Sequence, residues 1–370
     1  MFKDIHADLG LRKIINARGT YTPFGVSRSS DIVSQAVANA LGHYFDMSDL
    51  ANVAGDRIAK IYGVEATSFS HCAAGSITMV IAAIMTGADM ERLYKLPDTD
   101  GIQNRVVIQA GHMVNFGQPI EQAVRLSGAS IVVAGSDNGC SVDQLSKALS
   151  EDGVCVLLCV ESRLCKLGMV PTEDAVKLAH EKGLPVVVDA AAQDLRLPEV
   201  IGFGADITIT SAQKYLSAPT CGLALGSRLL TDAMKLQEKG LGRAMKPTKE
   251  GVIGALAAVE ERSSLDKAAW QQEQKKKSQG FVELLNGLKS IAAECDPDIN
   301  GLPFDRVRCV VDEKRAGKTA FQINQELLAG EPMISVQDHE LDIGVISFEI
   351  VGLSDDEMQE IYQRLSFVLC

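Results

Sequence analysis

The chain has 370 residues, which is too many for one typical hydrophobic core, so two domains are expected. Hydrophobic residues make up 46% of the sequence and charged residues 23%, a balance that is ordinary for a soluble globular enzyme. The net charge of −12 argues against a nucleic-acid partner, because a diffuse acidic surface repels a polyanion.

Cysteine usage indicates a reducing compartment. The nine cysteines are an odd number without a C-x-x-C pair, and Cys155 and Cys159 lie in the apolar run 154–160, where they act as small hydrophobes. Residues 1–8 contain no apolar segment typical of a signal peptide, and no run approaches the ~20 apolar residues that span a bilayer. We therefore expect a cytoplasmic protein with reduced thiols and no membrane partner.

In chain order, a polar and irregular segment comes first. Residues 1–30 are expected to form an N-terminal arm outside any core. Helical periodicity follows at 30–42 and 48–62. The small residues of 67–76 then lead into an apolar run, 77–84, which predicts a buried helix.

Strands and helices alternate from residue 105 onward. This alternation predicts an α/β fold in which a mainly parallel sheet is covered on both faces, with a large domain over 31–247. The predicted strands are 105–109, 129–134, 154–161, 185–189, 206–210 and 221–225. The predicted helices are 117–127, 141–150, 172–182 and 227–239.

The last third of the chain has a different pattern. A long helical stretch, 248–288, is expected to connect the large domain to a second one. Residues 289–370 are typical of a small α+β C-terminal domain. Its predicted elements are strand 304–311, helix 319–329, strand 343–350 and helix 354–368.

Two strand ends of the predicted sheet carry a carboxylate and a lysine. Asp189 ends one apolar run, and Lys214 follows the next, 206–211. Because ligands bind at strand ends in α/β sheets, both residues are candidates for one site. A pyridoxal phosphate enzyme needs such a pair: a lysine that binds the cofactor covalently and an aspartate that keeps the pyridine nitrogen protonated. Taken singly, each residue has a simpler explanation, an ordinary strand-end aspartate or a surface lysine.

A small-residue segment before the buried helix is a candidate anion site. Ala74, Gly75 and Ser76 let a ligand approach the backbone, and the free N–H groups of a first helical turn bind an anion. Ser76 adds a hydroxyl. Ser211, three residues before Lys214, is placed to reach the same phosphate. Packing alone also explains small residues at a helix start.

Three further residues are candidates for contacts with the cofactor ring. Ala191 is small enough to pack under a ring, and Gln193 is positioned to contact the ring oxygen. His112 follows the strand after the anion segment, where an imidazole can stack on the exposed ring face. A loop histidine and an exposed glutamine are the simpler alternatives.

The order of these segments resembles that of fold-type I pyridoxal phosphate enzymes. Residues 15–20, Ile-Asn-Ala-Arg-Gly-Thr, resemble the opening "INA-x-GT" motif of the selenocysteine synthase-like branch, and residues 211–216 resemble its lysine loop. The likeness covers about residues 14–230. Residues 46–51 and the phosphate segment are more similar to the D-glucosaminate-6-phosphate ammonia-lyase group.

This resemblance implies a fold, a cofactor and a reaction. The implied fold has a large domain with a mainly parallel seven-stranded sheet and a small α+β domain. The implied cofactor is pyridoxal 5′-phosphate, carried by Lys214 and protonated on its ring nitrogen through Asp189. The implied reaction is loss of ammonia from a small, phosphorylated sugar 2-amino acid, catalysed by a homodimer or larger homo-oligomer.

Substrate anion binders are less defined. Arg18 and Arg28 in the N-terminal segment and Arg163 after strand 154–161 are candidates, although each has a surface role as its simpler explanation. Fold-type I enzymes often hold the substrate carboxylate with a late arginine, whereas the matching strand here carries Glu349. This departure disfavours an ordinary amino-acid substrate.

Three alternative functions stay open at this point. The first is selenium or sulfur transfer, for which Cys72 and Cys165 are the cysteines to test. The second is an aldolase or racemase with the same cofactor. The third is a cofactor-free scaffold on the same fold.

Overall fold

The structure, a computed structural model, describes residues 4–369, and the chain divides into two compact units. One unit is Ser29–Ser264, and the other combines the residues up to Arg28 with those from Leu265 onward.

In chain order the α-helices are α1 Ile5–Leu9, α2 Asp31–Leu41, α3 Met47–Tyr62, α4 Ala73–Thr86, α5 Met90–Lys95, α6 Ile120–Arg125, α7 Val142–Leu149, α8 Thr172–Glu181, α9 Leu197–Gly202, α10 Arg228–Leu236, α11 Lys249–Ser263, α12 Lys267–Leu285, α13 Glu313–Ala316, α14 Ala320–Ala329 and α15 Asp355–Val368. The strands are β1 Ile14–Asn16, β2 Ala66–Ser70, β3 Arg105–Gln109, β4 Ser130–Ala134, β5 Val154–Val160, β6 Val186–Asp189, β7 Ile207–Ser211, β8 Gly222–Gly226, β9 Ile291–Pro297, β10 Asp305–Val311, β11 Met333–Ser335 and β12 Val345–Phe348.

The unit Ser29–Ser264 is built on one seven-stranded sheet. Its strand order is β2-β8-β7-β6-β5-β3-β4. Strand β8 runs antiparallel to both of its neighbours, and the other adjacent pairs are parallel. The predicted α/β fold with a mainly parallel seven-stranded sheet is therefore confirmed.

Both faces of this sheet are covered, which explains its continuous apolar strands. Along β5, Val156 and Leu158 pack into one core cluster, which includes residues of α4, α6 and α10. Leu157 and Cys159 point into the opposite cluster, which includes residues of α3, α7, α8 and α11. Helix α4 is buried along almost its whole length, as its apolar sequence predicts.

The second unit contains two small sheets. Strands β9, β10 and β12 form an antiparallel sheet in the order β12-β10-β9, and β1 pairs in parallel with β11. Phe281 of α12 and Phe348 of β12 meet edge to face in its core, with their ring centroids 5.6 Å apart. The predicted strand 304–311 and helices 319–329 and 354–368 correspond to β10, α14 and α15.

Part of the N-terminal segment belongs to this second core, contrary to the expectation of an arm outside any core. Ile15 pairs with Ile334, and Ile15 and Ala17 are both buried among the apolar residues of the unit. The Glu349 backbone N–H also donates to the Ala17 carbonyl, at 2.8 Å. A three-residue strand is too short to show a periodicity of its own, so the sequence pattern missed it.

The helical stretch 248–288 is divided in the structure. Helix α11 ends at Ser263 in one unit, and α12 begins at Lys267 in the other. Asp266 caps α12, because its carboxylate accepts hydrogen bonds from the Ala268 and Ala269 N–H groups. Among residues 4–369, none of the helices combines the length and apolar character that crossing a membrane requires.

Candidate active site

The predicted cofactor residues of the sheet meet at one edge. Strands β5, β6 and β7 are adjacent and parallel, so their carboxyl ends lie side by side. Asp189, the last residue of β6, is paired with Val160 on one side and Ile209 on the other. Lys214 lies in the loop that follows β7. This is the edge at which α/β proteins bind ligands.

Asp189 is held buried at this edge. Its side chain accepts a hydrogen bond from the Ala191 N–H at 3.0 Å, and the residue is only 5% exposed. Burial raises the pKa of Asp189, while the charge of Lys214 and the Ala191 hydrogen bond oppose that shift. Because Asp189 is buried, its charged form is stabilised most by a positive group that is buried near it.

Lys214 lies in a tight loop between β7 and β8. The Ala218 N–H donates to the Ala212 carbonyl, and the Ser217 N–H donates to the Lys214 carbonyl at 3.0 Å. Ser217 has a φ of +56°, a left-handed conformation that side-chain-bearing residues rarely adopt. Loss of water lowers the pKa of Lys214, and the charge of Asp189 opposes this effect most strongly. The predicted lysine and aspartate are therefore electrostatically coupled.

The beginning of α4 offers free backbone donors at the same edge. Cys72 occupies the cap position, and no side chain caps the helix. The first-turn N–H groups, including those of Ala74 and Gly75, have no acceptor within an α-helix and are suited to an anion. Gly222 packs tightly here, because a Cβ atom on it would lie 2.5 Å from Ser76 Oγ.

Ser76 differs from its predicted role. Ser70 Oγ donates to the Cys72 carbonyl at 2.8 Å, so the 2.7 Å contact between the two serine hydroxyls is donated by Ser76. The Ser76 N–H also bonds the Cys72 carbonyl, at 2.9 Å. Both donors of Ser76 are thus used within the protein. The residue supports the anion segment rather than supplying a hydroxyl to it.

His112 lies at the end of β3, in the short helix Ala110–His112. Its Nδ1 accepts a hydrogen bond from the Val160 N–H at 3.2 Å, which requires the proton to sit on Nε2 in the neutral ring. Burial lowers the pKa of His112 to about 4, so the imidazole is uncharged at neutral pH. Through Val160, the partner of Asp189 in the sheet, His112 is fixed next to the aspartate strand.

The other predicted ring and phosphate contacts lie on the adjoining turns. Gln193 is buried, and its side-chain oxygen accepts a hydrogen bond from Arg196 at 3.2 Å. Ala191 is partly buried beside Asp189, and Ser211 is buried as the last residue of β7. These residues are therefore brought to the same edge as Asp189.

The three candidate arginines are distributed over the two units. Arg18 forms an ion pair with Asp338 at 2.6 Å, and Arg28 forms one with Glu357 at 2.8 Å, all within the unit that contains the C-terminal region. Arg163 is partly exposed in the loop after β5, in the same unit as Asp189 and Lys214. Arg163 thus lies at the strand edge described above, and Arg18 and Arg28 belong to the other unit.

Sequence reasoning missed a second carboxylate near the lysine. Asp194 is fully buried, and Arg262 Nη2 of α11 lies 3.9 Å from its Oδ2. Arg262 also donates to the carbonyl of Tyr215, the residue after Lys214. The position of Asp194 directly after the predicted site residue Gln193 is a local signal for a role in the site. No sequence pattern, however, links Asp194 to the distant Arg262.

Comparison with known proteins identifies the family. The Aminotransferase class-V profile matches residues 34–309. The chain belongs to the class-V aminotransferase family. It is 33% identical over 367 residues to D-glucosaminate-6-phosphate ammonia lyase of Salmonella typhimurium, covering 99% of this chain and 98% of that protein.

Two further comparisons describe its place among relatives. A solved structure of D-glucosaminate-6-phosphate ammonia-lyase matches with a TM-score of 0.89 and 32% identity, covering 100% of this chain and 99% of that chain. 5′-C-glycyluridine monooxygenase-decarboxylase of a Streptomyces species is 31% identical over 364 residues, covering 98% of this chain and 91% of that protein. The predicted fold-type I enzyme, its likeness to the ammonia-lyase group and its cofactor are confirmed: the protein is a pyridoxal phosphate enzyme.

The residues present fit this cofactor. The uncapped start of α4 provides donors for a phosphate, and a side chain larger than hydrogen at Gly222 would disturb that segment. A buried carboxylate, Asp189, is available for a protonated ring nitrogen, and Lys214 has a lowered pKa, as a lysine that reacts with a carbonyl group needs.

Proposed function

We propose that the protein is a pyridoxal phosphate-dependent lyase that releases ammonia from a small, phosphorylated sugar 2-amino acid such as D-glucosaminate 6-phosphate. The observation that carries this proposal is the coupling of Asp189 and Lys214 at the neighbouring ends of β6 and β7. The full-length similarity to a D-glucosaminate-6-phosphate ammonia lyase supports the choice of reaction and substrate.

Each residue of the edge has a role in holding the cofactor under this proposal. The first-turn N–H groups of Ala74 and Gly75, together with Ser211, hold the phosphate. His112 stacks on the ring as a neutral imidazole. Asp189 keeps the ring nitrogen protonated, and Lys214 carries the cofactor. When bound, pyridoxal phosphate withdraws electrons from the substrate Cα.

Gln193 and Ala191 complete the ring contacts in this proposal. Gln193 is buried and held by Arg196, so its amide is fixed to contact the ring oxygen. Ala191 leaves room under the ring. Neither residue changes charge, so both are proposed to orient the cofactor rather than to move protons.

Lys214 is proposed as the general base. Its lowered pKa makes the uncharged amine more accessible than in a solvated lysine, and this amine takes the Cα proton of the substrate. The β-hydroxyl group then leaves as water. Hydrolysis takes up one water and gives a 2-oxo acid and ammonia, so the atoms of the substrate are accounted for.

Arg163 is the arginine that we propose for the substrate anion. It lies in the loop after β5 at the carboxyl edge of the sheet, in the same unit as Asp189 and Lys214. Loss of a charge-assisted hydrogen bond costs about 1.5–3 kcal/mol, which corresponds to about 10- to 150-fold in binding. Arg163→Ala should weaken a phosphorylated substrate by that factor and change its unphosphorylated analogue little.

We also propose a cytoplasmic homodimer or larger homo-oligomer. Several large apolar side chains are exposed on α2 and α3, where a second copy of the chain would cover them: Ile32, Leu41 and Val53 are each more than half exposed. Light scattering tests this assembly. An active monomer of 39.6 kDa would contradict it.

The proposed reaction is tested by assaying ammonia and 2-oxo acid with a panel of phosphorylated and plain amino sugar acids. We expect both products in equal amounts, with the phosphorylated substrates preferred. Oxygen consumption with loss of carbon dioxide and no ammonia would instead indicate a reaction of the monooxygenase-decarboxylase kind. Equal rates on phosphorylated and plain compounds would contradict recognition of the distal phosphate.

A further inference from the structure

One buried carboxyl group in the unit Ser29–Ser264 is poorly satisfied by hydrogen bonds. Asp194 begins the short helix Asp194–Arg196 after β6, and its side chain has no exposed area. Within residues 4–369, neither of its carboxyl oxygens has a partner with good hydrogen-bond geometry, although the backbone N–H groups of Asp194 and Leu195 stabilise its charged form. A buried carboxylate with so few donors is costly, because the hydrogen bonds that it lost to water are only partly replaced. Neighbouring positive groups that the Asp194 carboxylate stabilises would offset this cost.

Three groups face Asp194 from three different elements. Arg262 of α11 places Nη2 3.9 Å from Oδ2. Tyr62, the last residue of α3, is partly buried, and its phenol pKa is raised by burial and then by the Asp194 charge. Lys214 interacts favourably with Asp194 as well as with Asp189. The ammonium form of Lys214 therefore has two buried carboxylates to stabilise it.

Arg262 links this carboxylate to the lysine loop. Its Nη2 donates to the carbonyl of Tyr215, next to Lys214, and the ion pair with Asp194 holds the same guanidinium. The loop also contains Ser217 in a left-handed conformation. Such a backbone persists only where its surroundings hold it in place. Asp194 is thus connected to Lys214 both by charge and through the loop.

The proposed reaction requires Lys214 to change charge. When the Cα–H bond breaks, the electron pair stays with Cα and a new N–H bond forms on Lys214, which becomes an ammonium group. The proton then leaves with the β-hydroxyl group as water. In the same proposal Asp189 is engaged with the ring nitrogen, so a second buried carboxylate is the group left to balance the ammonium.

We propose that Asp194 is a positioning residue that stabilises the protonated form of Lys214 and, through Arg262, holds the lysine loop. The inference rests on the proposed function for the step in which Lys214 carries a proton. Burial raises the pKa of Asp194 to about 7 against the opposing charge of Arg262, so this carboxyl group can change its protonation near neutral pH.

Competitive labelling of the full-length protein after removal of the cofactor tests this inference. An amine-selective acylating reagent is applied over a range of pH, and the modified Lys214 peptide is quantified by mass spectrometry. Asp194→Asn removes the charge that favours the ammonium, so the Lys214 pKa should fall by about one unit or more. Asp194→Ala should shift it in the same direction. Asp174→Asn, an exposed carboxylate on α8, makes the same change in net charge and should leave it unmoved.

The outcomes separate a charge effect from a loosened structure. An unchanged labelling midpoint in both Asp194 variants overturns the proposal. Stronger labelling at every pH with an unmoved midpoint also overturns it, because that result indicates only a more open loop. In the loaded enzyme kcat should fall about tenfold per unit of pKa change, with KM nearly unchanged. The labelling needs no substrate, so a failure of the lyase assay would leave this result standing, and the reverse also holds.

Discussion

At the scale of single residues, the site depends on two groups whose pKa values are shifted by burial. Asp189 and Lys214 are shifted in opposite directions, since burial disfavours the charged form of each, and each one's charge partly reverses the shift of the other. The sequence predicted this pair because both residues follow apolar strands. It did not predict Asp194, because Arg262 comes next to this carboxylate only when α11 packs against the sheet.

Asp189→Asn tests the role of the aspartate. The amide keeps the shape and the contact with the Ala191 N–H group, and it loses the negative charge. We expect kcat to fall on the order of 10²-fold or more, the scale of losing one charge-stabilising group in an active site. Visible absorbance of the purified variant reports whether the cofactor is still bound. A variant with near-native kcat would show that another group protonates the ring.

At the scale of elements, the sequence predicted the strands and helices around the site well and their supporting contacts poorly. Apolar runs and turn residues are local signals, so β5, β6 and β7 were recognised directly. The contact between Ser70 and Ser76 is not local in this sense, because it depends on how β2 and α4 meet. The three-residue β1 was missed for the same reason, since only its pairing with β11 makes it a strand.

Gly222→Ala tests the packing of the anion segment. A Cβ at position 222 would lie 2.5 Å from Ser76 Oγ and 2.6 Å from the Cys72 carbonyl, so the start of α4 must shift. We expect a loss of about 1–3 kcal/mol in stability, typical of overpacking, together with weaker binding of the cofactor. Gly202→Ala is the control, because nothing lies within 4 Å of a Cβ there. Titration of the cofactor-free protein measures the affinity, and equal affinities for the two variants would contradict the role of the segment.

At the scale of the whole molecule, each unit has its own buried charges. In the unit that contains the C-terminal region, Arg306 of β10 contacts Asp298 at 2.6 Å and Glu349 at 2.9 Å, and all three side chains are almost completely buried. Glu349 occupies the strand position at which the resemblance to fold-type I enzymes leads one to expect an arginine. Its carboxylate packs against Gly19, whose Cβ position would overlap it. The glutamate is therefore part of an ionic cluster that holds the N-terminal segment in this unit.

Arg306→Met tests the contribution of that cluster to stability. It leaves Asp298 and Glu349 buried without their positive partner, so the free energy of unfolding should fall by about 3–5 kcal/mol. Arg308→Met is the matched control on the same strand, because its ion pairs with Glu294 and Glu340 are partly exposed and each is worth about 1 kcal/mol or less. Denaturant unfolding measures both. Equal losses in the two variants would mean that burial of the ionic cluster adds nothing to the free energy of unfolding.

Reduction of the cofactor-loaded protein with borohydride, followed by peptide mapping, tests whether Lys214 carries the cofactor. We expect a single pyridoxyl label on Lys214, because this lysine lies near Asp189 at the carboxyl edge of the sheet and has a lowered pKa. The Lys214→Ala variant should take up no stable label. A label on any other lysine of the native protein would contradict the site, and with it the roles proposed for Asp189 and Asp194.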